Sequence, residues 1–173
     1  MVERRSNEKV TKLEIYTDGS CKKSGQSMVF GGWAFIASRD TDEVYSAAGS
    51  EYGTTNQRME LQAILEALHF AEAARRPSEK VVIYSDSAYA INCYLDDWYI
   101  NWIDNGWVNA KNQPVANRDL WEKIVPYFDN FWYEFKKVEG HTGNYWNERA
   151  DELAQAAAEG LKKTWRGTKN EKM

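Results

Sequence analysis

Four acidic residues, Asp18, Glu60, Asp86 and Asp151, lie in the segments YTDGSC, TTNQRMEL, IYSDSAYA and GHTGNYWNERADELA. Each falls where a regular element is expected to begin or end. Brought together by a fold, they form a cluster of hard oxygen ligands whose mutual repulsion divalent cations relieve. Clusters of that kind serve phosphodiester chemistry, in which the cations neutralise the phosphate and activate a water. Taken singly, each acid is better explained as a turn, cap or solvated helix residue than as a metal ligand. Four at the ends of elements that can be neighbours in one sheet point to the cation-dependent reading.

The elements that must position them follow from the hydrophobic pattern. KLEIYTDGS reads as a strand closed by an Asp-Gly-Ser turn, and FGGWAFIAS and DEVYSAAGS give two more in an antiparallel meander. In TTNQRMELQAILEALHFAEAARR, Leu61, Ile64, Leu65, Leu68 and Ala71 mark one helical face, with Thr55 or Asn56 as cap and Pro77 beyond the end. VVIYSD is a short apolar strand, with Ser85 or Asp86 placed to cap the next helix. Tyr94, Trp98 and Trp102 recur every fourth residue, placing three rings on one side of a helix or helix pair that stops at Asn105-Gly106. WVNAKNQPVAN is an irregular excursion, Asn117 to Tyr127 a helix disturbed by Pro126, FWYEFKKV a fifth strand and NERADELAQAAAEGL a final helix. The order is β-β-β-α-β-α-α-β-α, a mixed sheet with helices on its faces. If the first and fourth strands are parallel neighbours, Asp18 and Asp86 sit side by side at their carboxyl ends, where open α/β sheets bind ligands.

With 173 residues, 43% of them hydrophobic, the chain is long enough for one domain and short for two. We expect a short tail over 1–12, a catalytic domain over 13–160 and a basic tail over 161–173. The charged opening MVERRSNEKV lacks a secretory apolar run and nothing later approaches a membrane span, so a soluble cytoplasmic protein is expected. Cys21 and Cys93 have no CxxC spacing and support neither a disulfide framework nor a thiolate zinc site. The net charge of −4 argues against broad, metal-free binding of phosphate and leaves a cation-bridged substrate open.

In identity and order, YTDGSC, TTNQRMEL, YSDSAYA, the tryptophan stretch ending in NGW, PVANRDLW and GHTGNYWNERADELA resemble the type 1 ribonuclease H family, from about Leu13 to Gly160. The resemblance implies the α/β ribonuclease H-like fold: a five-stranded mixed sheet, strands one to three antiparallel, four and five parallel to the first, helices on both faces. It implies an endonuclease that hydrolyses the RNA strand of an RNA/DNA hybrid, leaving 5′-phosphate and 3′-hydroxyl ends. Asp18, Glu60, Asp86 and Asp151 are then catalytic carboxylates holding two Mg²⁺ ions, with Mn²⁺ able to substitute. His141 matches a histidine that assists proton handling or product departure. By the same resemblance the Cys21 backbone, Asn56, Gln57 and Glu60 meet the RNA strand, and Ser24 stands where the family has a contacting asparagine. Thr55 and Asn117 match a pocket for a DNA phosphate, and Trp98 and Trp102 a groove beneath the DNA sugars. A monomer is expected.

Besides Ser24, the chain departs from the family pattern in two places. One extra residue lies between Asp86 and Trp98, so the helix there is expected to be rewound. In the excursion from Tyr94 to Leu120, Asp96, Asp97, Asp104 and Asp119 outnumber Lys111 and Arg118, weakening any electrostatic grip. The tail, with Lys162, Lys163, Arg166, Lys169 and Lys172, either touches phosphates in compensation or only solubilises the chain. Two other functions share parts of this pattern. A silent hybrid-binding module predicts loss of a carboxylate, and a DNA nuclease or polynucleotidyl transferase on the same scaffold predicts loss of the Asn56-Gln57 and PVAN context.

Overall fold

The computed structural model describes residues 11–24, 27–139 and 143–165. Its central strand, β1 (Lys12–Lys23), sends Leu13 and Ile15 into one core and Tyr16 into a second on the opposite face. That alternation is the two-residue period of a strand covered on both sides. β2 (Val29–Arg39) and β3 (Asp42–Tyr52) follow antiparallel. Between them Asp40 and Thr41 have φ of 50° and 68°, the left-handed pair that a two-residue hairpin requires. β4 (Lys80–Ser85) runs parallel to β1, and β5 (Tyr133–Lys137) parallel to β4, in the order β3-β2-β1-β4-β5. This is the mixed five-stranded sheet expected.

Helix α1 (Asn56–Ala74) lies against β1, β2 and β4, burying Leu61, Ile64, Leu65, Leu68 and Ala71. Truncating one of them, as in Leu68→Ala, costs about 2–5 kcal/mol. α2 (Ala88–Leu95), α3 (Trp98–Asp104) and α4 (Arg118–Ile124), the last running into a 3₁₀ turn at Val125–Tyr127, precede β5. α5 (Tyr145–Thr164) covers the other face over β1, β2 and β3. Its buried side is Ala150, Ala154 and Ala158, and a Cβ on Gly32 of β2 would overlap the Ala154 carbonyl. Small residues on both partners let helix and strand approach closely enough to fix α5 along the sheet.

Five local expectations are corrected. Asp-Gly-Ser is no turn: Gly19, Ser20 and Cys21 stay in β1, paired with Trp33, Gly32 and Gly31. Three helices, not two, separate β4 from β5, because Asp97 adopts a left-handed conformation (φ 56°, ψ 33°) and breaks α2 from α3. The break also divides the three rings. Tyr94 packs into the core against Phe128 and Phe135, both at 5.1 Å, while Trp98 and Trp102 line a surface hollow. The cap of α2 is Ser87, whose hydroxyl accepts from the Ala90 N–H, rather than Ser85 or Asp86. Finally, Gly160 does not end the last helix, which runs on to Thr164, with Lys162 and Lys163 in its last turn where cations suit the helix dipole. Trp165 then packs edge-on against Phe30 at 5.5 Å, so residues 161–165 belong to the folded body. Arg166, Lys169 and Lys172 lie outside the described residues.

Candidate active site

β1 and β4 part company early. Their pairing ends at Tyr16–Tyr84, closed by a 2.8 Å bond from the Thr17 hydroxyl to the Tyr84 carbonyl, whereas β1 stays paired with β2 as far as Lys23–Val29. From Asp18 onward β1 has a neighbour on one side only. A cleft of about 430 Å³ opens there, lined by Asp18, Asn56, Gln57, Glu60, Asp86, Tyr89 and Asp151. Each of the four predicted acids therefore reaches one cleft from a different element: mid-β1, the first turns of α1, the β4–α2 junction and α5.

The approach of α1 to β1 depends on a glycine. A Cβ on Gly19 would strike the backbone of Met59 and Glu60. Its N–H is shared between Asp18 Oδ1 (2.9 Å) and Glu60 Oε1, which ties the two carboxylates to one donor. Oxygens of Asp18, Glu60 and Asp86 lie within 4.8 Å of one another. Asp151 lines the same cleft beside this group, and its Oδ2 accepts from Gln155 Nε2 at 2.8 Å. Gln155, one turn further along α5, is a positioning partner visible in the sequence only as an i,i+4 neighbour.

Among the described residues, no lysine or arginine forms an ion pair with any of these acids. Burial, with Asp151 and Asp86 adding to it and a hydrogen bond from Glu60 opposing it, pushes the Asp18 carboxyl up to about 7. Glu60 is raised well above the usual carboxylate range by burial, then by Asp18 and Asp86. An all-oxygen donor set that holds protons against its own repulsion is suited to exchange them for a hard divalent cation. The cluster is thus a candidate metal site.

The other predicted positions surround the cleft. Asn56 and Gln57 are exposed at its rim, Cys21 is half-buried further along β1, and Ser24 directly follows β1, its N–H bonded to the Met28 carbonyl. Thr55 caps α1, its hydroxyl accepting from the Arg58 N–H at 3.1 Å. Asn117, in a left-handed conformation ahead of α4, is bonded by Arg58 and Tyr89. Trp98 and Trp102 line a separate hollow of about 460 Å³ with Asn101, Asn105 and Asn109, and Trp102 packs edge-on to the buried Trp121 at 5.5 Å. His141 lies outside the described residues. The excursion is less acidic than its composition implied, because Asp119 is paired with Arg58.

Sequence reasoning missed Gly19, Arg58, Ser87, Tyr89 and Gln155. Only spacing could have found them: Ser87 and Tyr89 follow the strand-end aspartate by one and three residues, and Arg58 follows the cap by three residues. None carries a signal by residue type alone.

The family model described as RNase H matches residues 10–159. The Ribonuclease H of Syntrophomonas wolfei subsp. wolfei is 42% identical over 147 residues, covering 85% of this chain and 96% of that protein. The Ribonuclease H of Geotalea uraniireducens is 43% identical over 151 residues, covering 87% and 97%. Among solved structures, LC9-RNase H1, described as a type 1 RNase H with the type 2 active-site motif, superposes with a TM-score of 0.68 at 28% identity. It covers 89% of this chain and 75% of that one. The matched span includes the whole sheet, all five helices up to Glu159 and every acid of the cleft, and the chain belongs to the ribonuclease H family.

Proposed function

We propose that this chain is an endoribonuclease that hydrolyses the RNA strand of RNA/DNA hybrids, leaving 5′-phosphate and 3′-hydroxyl ends. The observation that carries the proposal is the Asp18–Glu60–Asp86 cluster, three carboxylates within 4.8 Å and, among the described residues, without a cationic partner, in a chain of this family. Asp18, Glu60, Asp86 and Asp151 would hold two Mg²⁺ ions, for which hard oxygen donors arriving from several elements are suited, and Mn²⁺ fits the same donors. Bound there, the cations supply charge neutralisation at the scissile phosphate and acidity to the attacking water.

The chain's own groups do the rest. Gly19 N–H fixes the Asp18 and Glu60 carboxylates and Gln155 fixes Asp151, and a cation held there would favour the ionised form of Asp18 and Glu60 over the protonated one. Asn56, Gln57, Glu60, the Cys21 backbone and Ser24 take the RNA strand, where the 2′-hydroxyl marks RNA from DNA. Thr55 and Asn117 take a DNA phosphate. The Thr55 oxygen accepts from Arg58, which leaves its hydroxyl proton for that phosphate. Trp98 and Trp102 support the DNA sugars, and His141 assists proton transfer or product departure. The protein acts as a cytoplasmic monomer; no helix among the described residues is long and apolar enough to cross a membrane.

Strand-labelled RNA/DNA hybrid, duplex DNA, duplex RNA and single-stranded RNA, each incubated with Mg²⁺ and with chelator, test this reading. Internal cuts in the RNA of the hybrid, only with cation, are expected. Preferred cleavage of any other substrate would contradict it.

A further inference from the structure

Asn117 carries an amide whose two ends have opposite chemistry: Oδ1 only accepts and Nδ2 only donates. A phosphate oxygen needs the donating end. Nothing in the residue itself decides which end faces a ligand, and its position ahead of α4 gives no help, because its side chain makes no cap hydrogen bond.

Two neighbours make the decision. Arg58 Nη1 donates to Asn117 Oδ1 at 3.3 Å, and a guanidinium can bond only the oxygen end. The Tyr89 hydroxyl stands at the nitrogen end, 3.5 Å from Nδ2. It already accepts from Trp121 Nε1 at 2.8 Å and faces the Ala116 carbonyl as donor, so it receives from the amide rather than giving to it. The nitrogen therefore keeps a proton for an outside acceptor. Arg58 is held in turn by Asp119, with Nη1 to Oδ1 at 3.0 Å and Nη2 to Oδ2 at 2.7 Å. This two-pronged fork fixes the guanidinium plane and neutralises an exposed carboxylate that would otherwise repel a phosphate two residues away.

We propose that Arg58 is a positioning residue for the DNA strand: clamped by Asp119, it sets the Asn117 amide so that Nδ2 is presented to a DNA phosphate. Arg58 also gives its backbone N–H to the Thr55 cap, so one residue links both halves of the pocket. The inference rests on the reading of Thr55 and Asn117 as a DNA-phosphate pocket.

The test uses RNA/DNA hybrids in which one DNA linkage at a time is a neutral methylphosphonate, cleaved by the wild-type chain, Arg58→Met and Arg58→Lys. For the wild type, one linkage is expected to raise KM about tenfold when neutral, as loss of a charge-assisted hydrogen bond does. Arg58→Met is expected to raise KM about tenfold on the unmodified hybrid, to hold kcat within about twofold, and to lose sensitivity at that linkage. Arg58→Lys keeps the charge but not the fork, and is expected to follow Arg58→Met. Unfolding of all three should agree closely, since the exposed pair contributes little to stability. Full methylphosphonate sensitivity in Arg58→Met, or wild-type behaviour in Arg58→Lys, would overturn the positioning role and leave the pocket intact. A wild type indifferent to every neutral linkage would overturn the pocket itself.

Discussion

Glu79, just before β4, and Asp18, where β1 and β4 separate, are both almost fully buried acids at opposite ends of the sheet. Glu79 is satisfied by the chain. Arg39 donates to both its oxygens at 2.9 and 3.0 Å, Thr11 and the Arg76 N–H add to this, and together they overcome burial and hold Glu79 down to about 2. Asp18 receives the opposite treatment. Its neighbours are further carboxylates, and it is pushed up to about 7. A buried acid with a structural task is given its cation by the chain, whereas the acids of the cleft have no such partner among the described residues, as the proposed site for a cation from solution requires.

The largest effect should come from removing a carboxylate from the cleft. Asp18→Asn and Asp86→Asn are expected to lower hybrid cleavage by at least about 10²–10³-fold, as loss of a preorganised charge-stabilising group does, while far-ultraviolet dichroism stays native. Gly19→Ala comes next, because the added methyl drives the first turn of α1 from β1 and shifts Glu60. A misplacement of that kind costs on the order of 10²-fold in kcat.

At the other end the consequence should be one of stability alone. Arg39→Met leaves Glu79 buried without its partner, an expected loss of about 3–5 kcal/mol in denaturant unfolding, with kcat of the folded enzyme unchanged. If Arg39→Met lost kcat in proportion, the division between structural and functional acids would fail.

The same contrast sets opposite pH dependences. Asp18 is raised when folded, so between about 4 and 7 the native state keeps a proton that the unfolded chain has released, and without cations its contribution to stability falls as pH rises through that window. Glu79 is lowered, so its contribution is present above the unfolded value of 4.5 and is lost as pH falls towards about 2. Urea unfolding in chelator at pH 5 and pH 7.5 should therefore show lower stability at the higher pH in the wild type, and a smaller difference in Asp18→Asn. The smallest effect is expected at Trp98, which is partly exposed at the surface hollow: Trp98→Ala should raise KM by less than about tenfold.

The strands and helices were legible from patterns of period two and 3.6, whereas the directions of the strands in the sheet came from the resemblance to the family, because periodicity does not say which strands are neighbours. The four acids were legible as a set because each was expected at the end of an element, although in the fold Asp18 stands mid-β1 and Asp151 within α5. What escaped was decided by contacts across the fold. Gly19 reads locally as a turn residue, yet its strand continues because β2 stays beside it, and its missing side chain matters only once α1 crosses there. Tyr94 follows the spacing of Trp98 and Trp102, but the left-handed Asp97 breaks the helix between them, and Tyr94 packs on Phe128 and Phe135 instead of lining the surface hollow. Arg58 and Gln155 look like ordinary helix-surface residues, and their roles depend on Asn117 and Asp151 being where the fold places them.

The account is tested most directly by titrating Mg²⁺ into the metal-free wild-type chain and Asp18→Asn, following thermal unfolding and hybrid cleavage on the same samples. Asp18→Asn should begin the more stable of the two, because one repelling carboxylate is gone. Mg²⁺ should then raise the wild-type melting temperature and switch on cleavage over one concentration range, with neither response in Asp18→Asn. Cleavage that persists in chelator, or equal Mg²⁺ stabilisation of the two chains, would contradict the claim that these acids await a cation from solution.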